Sequence, residues 1–453
     1  MNRADDLPSP IGTVSLTPDR SMDAPRIGSR RKIIALAGAC FALMLLAGFG
    51  LHYATSTHGQ VAPAKTSSQA PNAPLVVATH NPLIRVNLTV TPTTKIELAI
   101  EGQYRVIVPG TNRILAHGER LALTNVTATN SSIRIGSSEF RINQIEIVPV
   151  SSPSIWIGSH QYRGSVRLIR VVGEKLLAVN VVPMEDYLAS VVNGEMPASF
   201  ARSAREAQAI VARTYALSQM VGHPQFDLYA TTRSQKYNGF QYRDADNKRL
   251  AGESSSSREV VRDTAGIVVT DRGRIFTTYY TAACGGSTIN GRSVFEDAAA
   301  PHQSVKCDWC QDAKLYRWQT SIDRPRGEQL IREHFKSQGQ TLGPLVSITA
   351  ATRPVGDLPF YVVSDGRTKR EIAGTTLRRV LPYSVLYAPH FVAEFTASEI
   401  RFSGRGHGHG VGLCQWGADG LGKAGRTAPQ IVRTYYPGSG LVRLRAGTGG
   451  AGS

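Results

Sequence analysis

Residues 184–219, MEDYLASVVNGEMPASFARSAREAQAIVARTYALSQ, decide how the chain is read. Met184, Leu188, Val191 and Val192 recur at helical spacing after Pro183, and Asn193 with Gly194 supplies a stop signal. Ser203 and Glu206 then form a capping-box pattern ahead of AQAIVARTYALSQM, which predicts a second helix. Glu195 is thereby expected in a short connection between two helices. A carboxyl just past a helix C-terminus faces the negative end of the helix dipole. Burial beside Met196, Pro197 and Phe200 would disfavour its ionised form further. Both effects favour the protonated state that a general acid for glycosidic bond cleavage needs. A solvated loop glutamate is the bland alternative.

N-terminal to this stretch, VNLTV, KIELAI, YRVIV, IRIG, QIEIVPV, SVRLIRV and LLAVNVV are punctuated by Gly, Asn and Ser, a pattern of short strands. A strand-rich domain is expected over 83–160 and a mixed module over 161–445. Residues 54–82, rich in Ala, Pro, Ser and Thr, read as an extended tether. Ile33 to Leu51 carries no charge, and about nineteen residues at 1.5 Å rise match a bilayer core of ~30 Å. Arg26, Arg30, Arg31 and Lys32 precede it, so 33–53 is expected to anchor the chain with 1–32 cytoplasmic and the rest exported. A cleaved signal peptide is the rival, disfavoured by the long polar segment ahead of the apolar run and the lack of a clean cleavage site after it. Cys40 lies inside that run and Ala37 occupies the place where a lipoprotein signal has Leu.

The 453 residues are 42% hydrophobic, enough to bury a large core, and the formal charge of +17 favours polyanions or anionic surfaces. No zinc finger, basic zipper or aromatic-studded RNA motif accompanies that charge, and no nucleic-acid partner is expected.

Toward the C-terminus, GRGHGHGVGLCQWGA (404–418) alternates Gly404, Gly406, Gly408, Gly410 and Gly412 with His407 and His409. Two residues apart, the histidines would share one side of an extended segment, so a metal site is conceivable. The glycines argue for a backbone platform open to close approach of another chain or a ligand, with the histidines as hydrogen-bond partners or orienters of neighbours. The loop lacks the Lys-Ser or Lys-Thr ending of a phosphate-cradling loop. Cys284, Cys307, Cys310 and Cys414 remain in the exported part. They fit two disulfides in an oxidising compartment, or a four-thiolate zinc site built on the CDWC pair with His302 as a spare ligand, with four unlinked packing thiols as a third reading.

YRGSVRLIRVVGEKLLAVNVVPMEDYLASVVNGEMPASFARSAREAQAIVARTYAL, with SQKYNGF, YYTAACGGST, GHGHGVGLCQWGA and YYPG, resembles the sporulation stage II protein D family, also called the LytB or amidase-enhancer family. The resemblance covers roughly residues 162–442. With the strand-rich pattern before it, the resemblance implies an α+β fold, strand-rich at the N-terminus and followed by a mixed helix and sheet catalytic module with a glycan cleft. It also implies a peptidoglycan lytic transglycosylase acting on strands stripped of stem peptides, or an enhancer of a cell-wall amidase. Its catalytic glutamate corresponds to Glu195 and its helix arginine, expected to bind the glycan, to Arg213; on the same resemblance His407 and His409 are expected to bond glycan hydroxyls or to orient neighbouring side chains. Gln235, Tyr237 and Tyr280 match positions near the cleft, either as glycan contacts or as packing side chains with one satisfied polar group. The family usually has Lys where this chain has Glu206.

Hydrolysis of a glycoside uses two carboxylates, whereas only one convincing candidate is found here. A lytic transglycosylase needs one, because the sugar's C6 hydroxyl attacks the anomeric carbon and leaves a 1,6-anhydro-N-acetylmuramic acid end. No cofactor is required for that chemistry. A non-catalytic module that binds cell wall and stimulates an amidase is the second reading. A metal-dependent hydrolase built on His407, His409 and the cysteines is the third.

Overall fold

The computed structural model describes residues 81–220 and 223–444. The segment expected to be cytoplasmic, the expected anchor at 33–53 and nearly all of the expected tether lie outside the described residues. Among the described residues no helix is long and apolar enough to cross a membrane.

Two β-sheets form the N-terminal part. In one, the strands run Leu228–Tyr229, Leu83–Asn87, Lys175–Pro183, Ser165–Val171, Gln144–Pro149, Tyr104–Ile107, Ile114–Gly118. In the other they run Arg249–Ala251, Gln241–Arg243, His160–Tyr162, Ile155–Ile157, Lys95–Ile100, Leu121–Ala128, Ile133–Ile135, Ser138–Phe140. Alternation puts Ile96, Leu98 and Val126 of the second sheet against Ile145, Ile147, Val166 and Leu168 of the first in one buried cluster. Each such side chain contributes about 1.5–3 kcal/mol on burial. The boundary expected at 160/161 therefore falls inside this layer pair, because the strands at 165–183 complete its first sheet.

Seven helices follow among the described residues: α1 Met184–Glu195, α2 Arg202–Gln219, α3 Ser255–Asp263, α4 Arg324–Ser337, α5 Gly374–Val380, α6 Gln415–Lys423 and α7 Ala428–Tyr435. Central α2 is alanine-rich because other elements press on two of its faces. Ala209, Ala212 and Ala216 pack with Tyr187 and Leu188 of α1 and Val260 and Val261 of α3. Ala204, Ala207, Ile210 and Val211 pack with Ala418 and Leu421 of α6 and Ile431 and Val432 of α7. Small side chains permit that close approach. Mixed helices and sheets with strand-rich layers at the start make the chain α+β, as the sequence implied.

A feature the sequence reading did not separate is the stretch 317–405. It carries its own core of Trp318, Ile331, Phe335, Val363, Leu377 and Phe402. Two three-stranded sheets build it: Arg317–Asp323, Glu399–Arg405, Phe391–Phe395, and Ser347–Ala350, Phe360–Ser364, Lys369–Ala373. The strand ending at Arg405 delivers the chain into the glycine-rich loop, where the Trp318 indole N–H donates to Gly406 O at 2.9 Å.

Candidate active site

Glu195 is not in a connection. It is the last residue of α1, which closes when Met196 turns extended and donates its N–H to Val192 O at 3.0 Å. Asn193 and Gly194 do not stop the helix because both serve neighbours. Asn193 donates its side-chain amide to Ala251 O at 3.1 Å, and a Cβ on Gly194 would sit 2.9 Å from Lys236 O. The capping box at Ser203 is likewise absent. Helix α2 begins at Arg202, and the free N–H of Ala201 is taken by the Asp419 carboxylate of α6 at 2.7 Å. Glu206 instead pairs with Arg202 one turn earlier at 3.0 Å, and Arg202 also reaches Glu259 at 3.5 Å and Asp263.

Three donors from three separate segments hold the half-buried Glu195 carboxyl. Its Oε1 accepts from the Lys236 backbone N–H at 2.9 Å and the Tyr280 hydroxyl at 3.2 Å. Its Oε2 accepts from the Gln415 amide at 3.2 Å. The apolar neighbours expected around the carboxyl lie elsewhere: Met196 and Phe200 belong to the core beneath α2, and Pro197 is exposed.

A two-residue parallel pairing sets the last two donors side by side. Tyr280–Thr281 pairs with Leu413–Cys414, in register Tyr280 to Leu413, and α6 starts at the next residue, Gln415. Buried Gln235 acts behind this pair. It donates to the Tyr280 hydroxyl at 3.2 Å and to Ala212 O at 3.4 Å, and accepts from the Tyr187 hydroxyl at 3.0 Å. Burial above all, then the charge of Glu195, pushes the Tyr280 hydroxyl well above its ordinary range, so it stays protonated and donates.

Other sequence-expected residues sit in packing roles. Arg213 is fully buried; it forks onto Glu185 at 2.8 and 2.7 Å and donates to Ile267 O at 3.1 Å and Val261 O at 3.3 Å. Tyr237 is 3% exposed, lies between Tyr162 and Tyr187, and donates to Asn180 Oδ1 at 2.7 Å. Neither is placed to touch a glycan.

His407 and His409 have different surroundings rather than one shared side. The His407 ring meets Tyr383 and Tyr387, with Nε2 bonded to the Tyr383 hydroxyl. The His409 ring packs against Tyr279 and Phe295, with Nδ1 accepting the Val411 N–H at 3.1 Å. The platform reading of the loop does hold for the backbone: Ala283 and His407 exchange N–H···O bonds of 3.0 and 2.7 Å, and a Cβ on Gly412, at φ +72°, would fall 1.9 Å from Tyr279 O.

Burial, then Arg378, holds His409 down at about 4, and burial likewise holds buried His302 at about 4. Unfolded histidines titrate near 6.5. As pH falls from about 6.5 toward 4, the unfolded chain takes up to two protons that the folded chain refuses, so stability falls by up to about 1.4 kcal/mol per pH unit for each. Above that window both rings are neutral in both states and contribute no slope. Urea midpoints at pH 7 and pH 5 check this; an unchanged midpoint contradicts it.

Cys284, Cys307, Cys310 and Cys414 are buried, unpaired by disulfides, and have all four sulfurs within 4.8 Å of one another, a set that could hold a metal. His302 is outside that set, packed edge-on against Phe276 and Tyr436. Sequence reasoning missed Gln415 and its neighbour Gln208, whose Oε1 lies 3.5 Å from the Gln415 amide. The available signal was the position of Gln415 directly after Cys414, where the glycine-rich loop turns into a helix.

Residues 172–270 match the family described as "Stage II sporulation protein". The chain is 27% identical over 328 residues to an uncharacterized protein of Brachyspira hyodysenteriae, covering 71% of this chain and 83% of that one. It is 26% identical over 312 residues to stage II sporulation protein D of Bacillus subtilis, covering 66% and 86%. It is 23% identical over 396 residues to the amidase enhancer of the same organism, covering 77% and 52%. The family match includes α1, Glu195 and α2. Residues 172–270 thus match a stage II sporulation protein domain, and the chain is similar to stage II sporulation protein D and the amidase enhancer, with NGEMP, SQKYNGF, YYTAACGGST and GLCQWGA converging on one carboxyl.

Proposed function

We propose that the protein is a peptidoglycan lytic transglycosylase with Glu195 as its acid and base. The domain match over residues 172–270 and the similarity to stage II sporulation protein D support a cell-wall-related role. The observation that carries the finer reading is the single carboxyl held by Lys236 N–H, Tyr280 and Gln415 at the meeting of the family motifs. Among the described residues no second carboxylate shares a hydrogen bond with these groups.

In this reading Oε2, which accepts only the Gln415 amide, carries the proton. Glu195 gives it to the glycosidic oxygen as the bond to the anomeric carbon breaks. The carboxylate then takes the proton of the C6 hydroxyl as that oxygen bonds to the same carbon. Atoms balance without water: one C–O bond breaks, one forms, and the proton lost is regained. Tyr280 and Gln415 steady the carboxyl, with Gln235 and Gln208 orienting them in turn.

The apolar run at Ile33–Leu51 would anchor the chain with the glycan-cleaving part outside the cytoplasm; release of the chain from membranes by alkaline washing would contradict the anchor. Similarity to an amidase enhancer favours a second reading, stimulation of a cell-wall amidase. Incubation with amidase-stripped glycan strands separates the two. Transglycosylation yields soluble fragments ending in 1,6-anhydro-N-acetylmuramic acid, whereas intact strands together with a faster amidase support the second.

A further inference from the structure

The four cysteines lie directly behind the strand pair that presents Tyr280 and Gln415. Cys414 is the residue before Gln415 and pairs with Thr281; Cys284 follows three residues after Thr281; Cys307 and Cys310 come from the CDWC loop. Their exposures are 0%, 6%, 1% and 0%.

The sulfur geometry separates the zinc reading from the disulfide reading. Cys284 and Cys310 have their sulfurs 3.7 Å apart, and all four lie within 4.8 Å. A tetrahedral centre with bonds of about 2.3 Å has sulfur edges of about 3.8 Å, while a disulfide requires about 2.05 Å. Two disulfides would draw the sulfurs into pairs, whereas this arrangement surrounds one point. The surroundings also suit thiolates. The N–H groups of Cys284 and Gly417 point at Cys414 Sγ from 3.2 and 3.3 Å, and the Tyr435 hydroxyl is 3.2 Å from Cys307 Sγ. Gly417 leaves that space: a Cβ there would lie 2.6 Å from Cys307 Sγ and 2.0 Å from Tyr435 Oη.

We propose that Cys284, Cys307, Cys310 and Cys414 bind one zinc ion that clamps the strand pair and the start of α6, and so fixes Tyr280 and Gln415 relative to each other. Four protein ligands leave no open position, so the ion is structural and activates no water. The metal site stands on the cysteines alone; its service to Glu195 rests on the catalytic reading above.

The test uses the full chain purified without added metal or chelator. Elemental analysis should give about one zinc per chain, and a thiol reagent should report all four cysteines only after a chelator strips the metal. Amide exchange at residues 279–284 and 413–417 should then speed up. Cys310→Ser should lose the zinc and melt at lower temperature, and if it fails to fold, cobalt exchange into the wild-type chain should give thiolate-to-metal absorption. Glu195→Gln should keep its full zinc, so loss of the catalytic reading and loss of this one are distinguishable. Metal-free protein overturns the proposal, whether its cysteines are disulfide-linked or four free thiols, as does iron in place of zinc. Zinc present with unchanged exchange at both segments overturns the clamp.

Discussion

Glu195→Gln is expected to lower the rate of glycan-strand cleavage by about 10²- to 10⁴-fold while leaving strand binding nearly intact. The amide has the shape of the carboxyl but has no acidic proton to give to the leaving oxygen and is no base for the C6 hydroxyl. Its oxygen can still accept from the Lys236 N–H and the Tyr280 hydroxyl, which now meet Oε1 at 2.9 and 3.2 Å. Opposite Gln415 it would present N–H to N–H, and rotation of the Gln415 amide relieves that at the cost of its contact with Gln208, 3.5 Å away. The fold should therefore survive, and the melting temperature should move little. Turnover by the variant at the wild-type rate contradicts the assignment. Absence of cleavage by both proteins, with equal stimulation of an amidase, selects the second reading.

Arg213→Met is expected to destabilise the fold by about 3–5 kcal/mol, a large fraction of the 5–15 kcal/mol typical of a folded protein. Arg213 has no exposed surface and satisfies Glu185 through two bonds, with two backbone carbonyls as further partners. Removing it leaves the Glu185 carboxylate, 16% exposed, without its countercharge. The double variant Arg213→Met with Glu185→Leu should regain part of the loss, because no unpaired charge remains. The family correspondence implied instead a glycan contact, which predicts weaker strand binding at unchanged stability. Denaturant midpoints and strand binding, measured at a temperature where the variant is folded, decide between them; an unchanged midpoint with weakened binding contradicts the structural role.

Both helices around Glu195 and most N-terminal strands were legible in the sequence because each has a strong local period. Their ends were not. Asn193–Gly194 has the composition of a stop, yet its residues are used by Ala251 and by the loop at Lys236, which are far along the chain. Ser203 and Glu206 have the spacing of a cap, yet Asp419 supplies the acceptor for Ala201 and Arg202 captures Glu206. Motif matching brought Glu195, Gln235 and Tyr280 to one place but assigned Arg213 and Tyr237 to the cleft, because a motif records a position without recording which way the side chain faces. Gln415 escaped for the opposite reason: its role depends on a parallel pairing between residues more than 130 positions apart, Tyr280–Thr281 with Leu413–Cys414. The separate core at 317–405 was hidden because it lies between recognisable motifs and carries none of its own.

The most direct test of the central claim is the mass of the products formed from amidase-stripped glycan strands in water enriched in heavy oxygen. Intramolecular attack predicts fragments one water lighter than the hydrolysis product and free of the label, with Glu195→Gln releasing almost none. Fragments with reducing ends carrying the heavy oxygen would show that water attacks the anomeric carbon, and would contradict the account of Glu195 as sole acid and base.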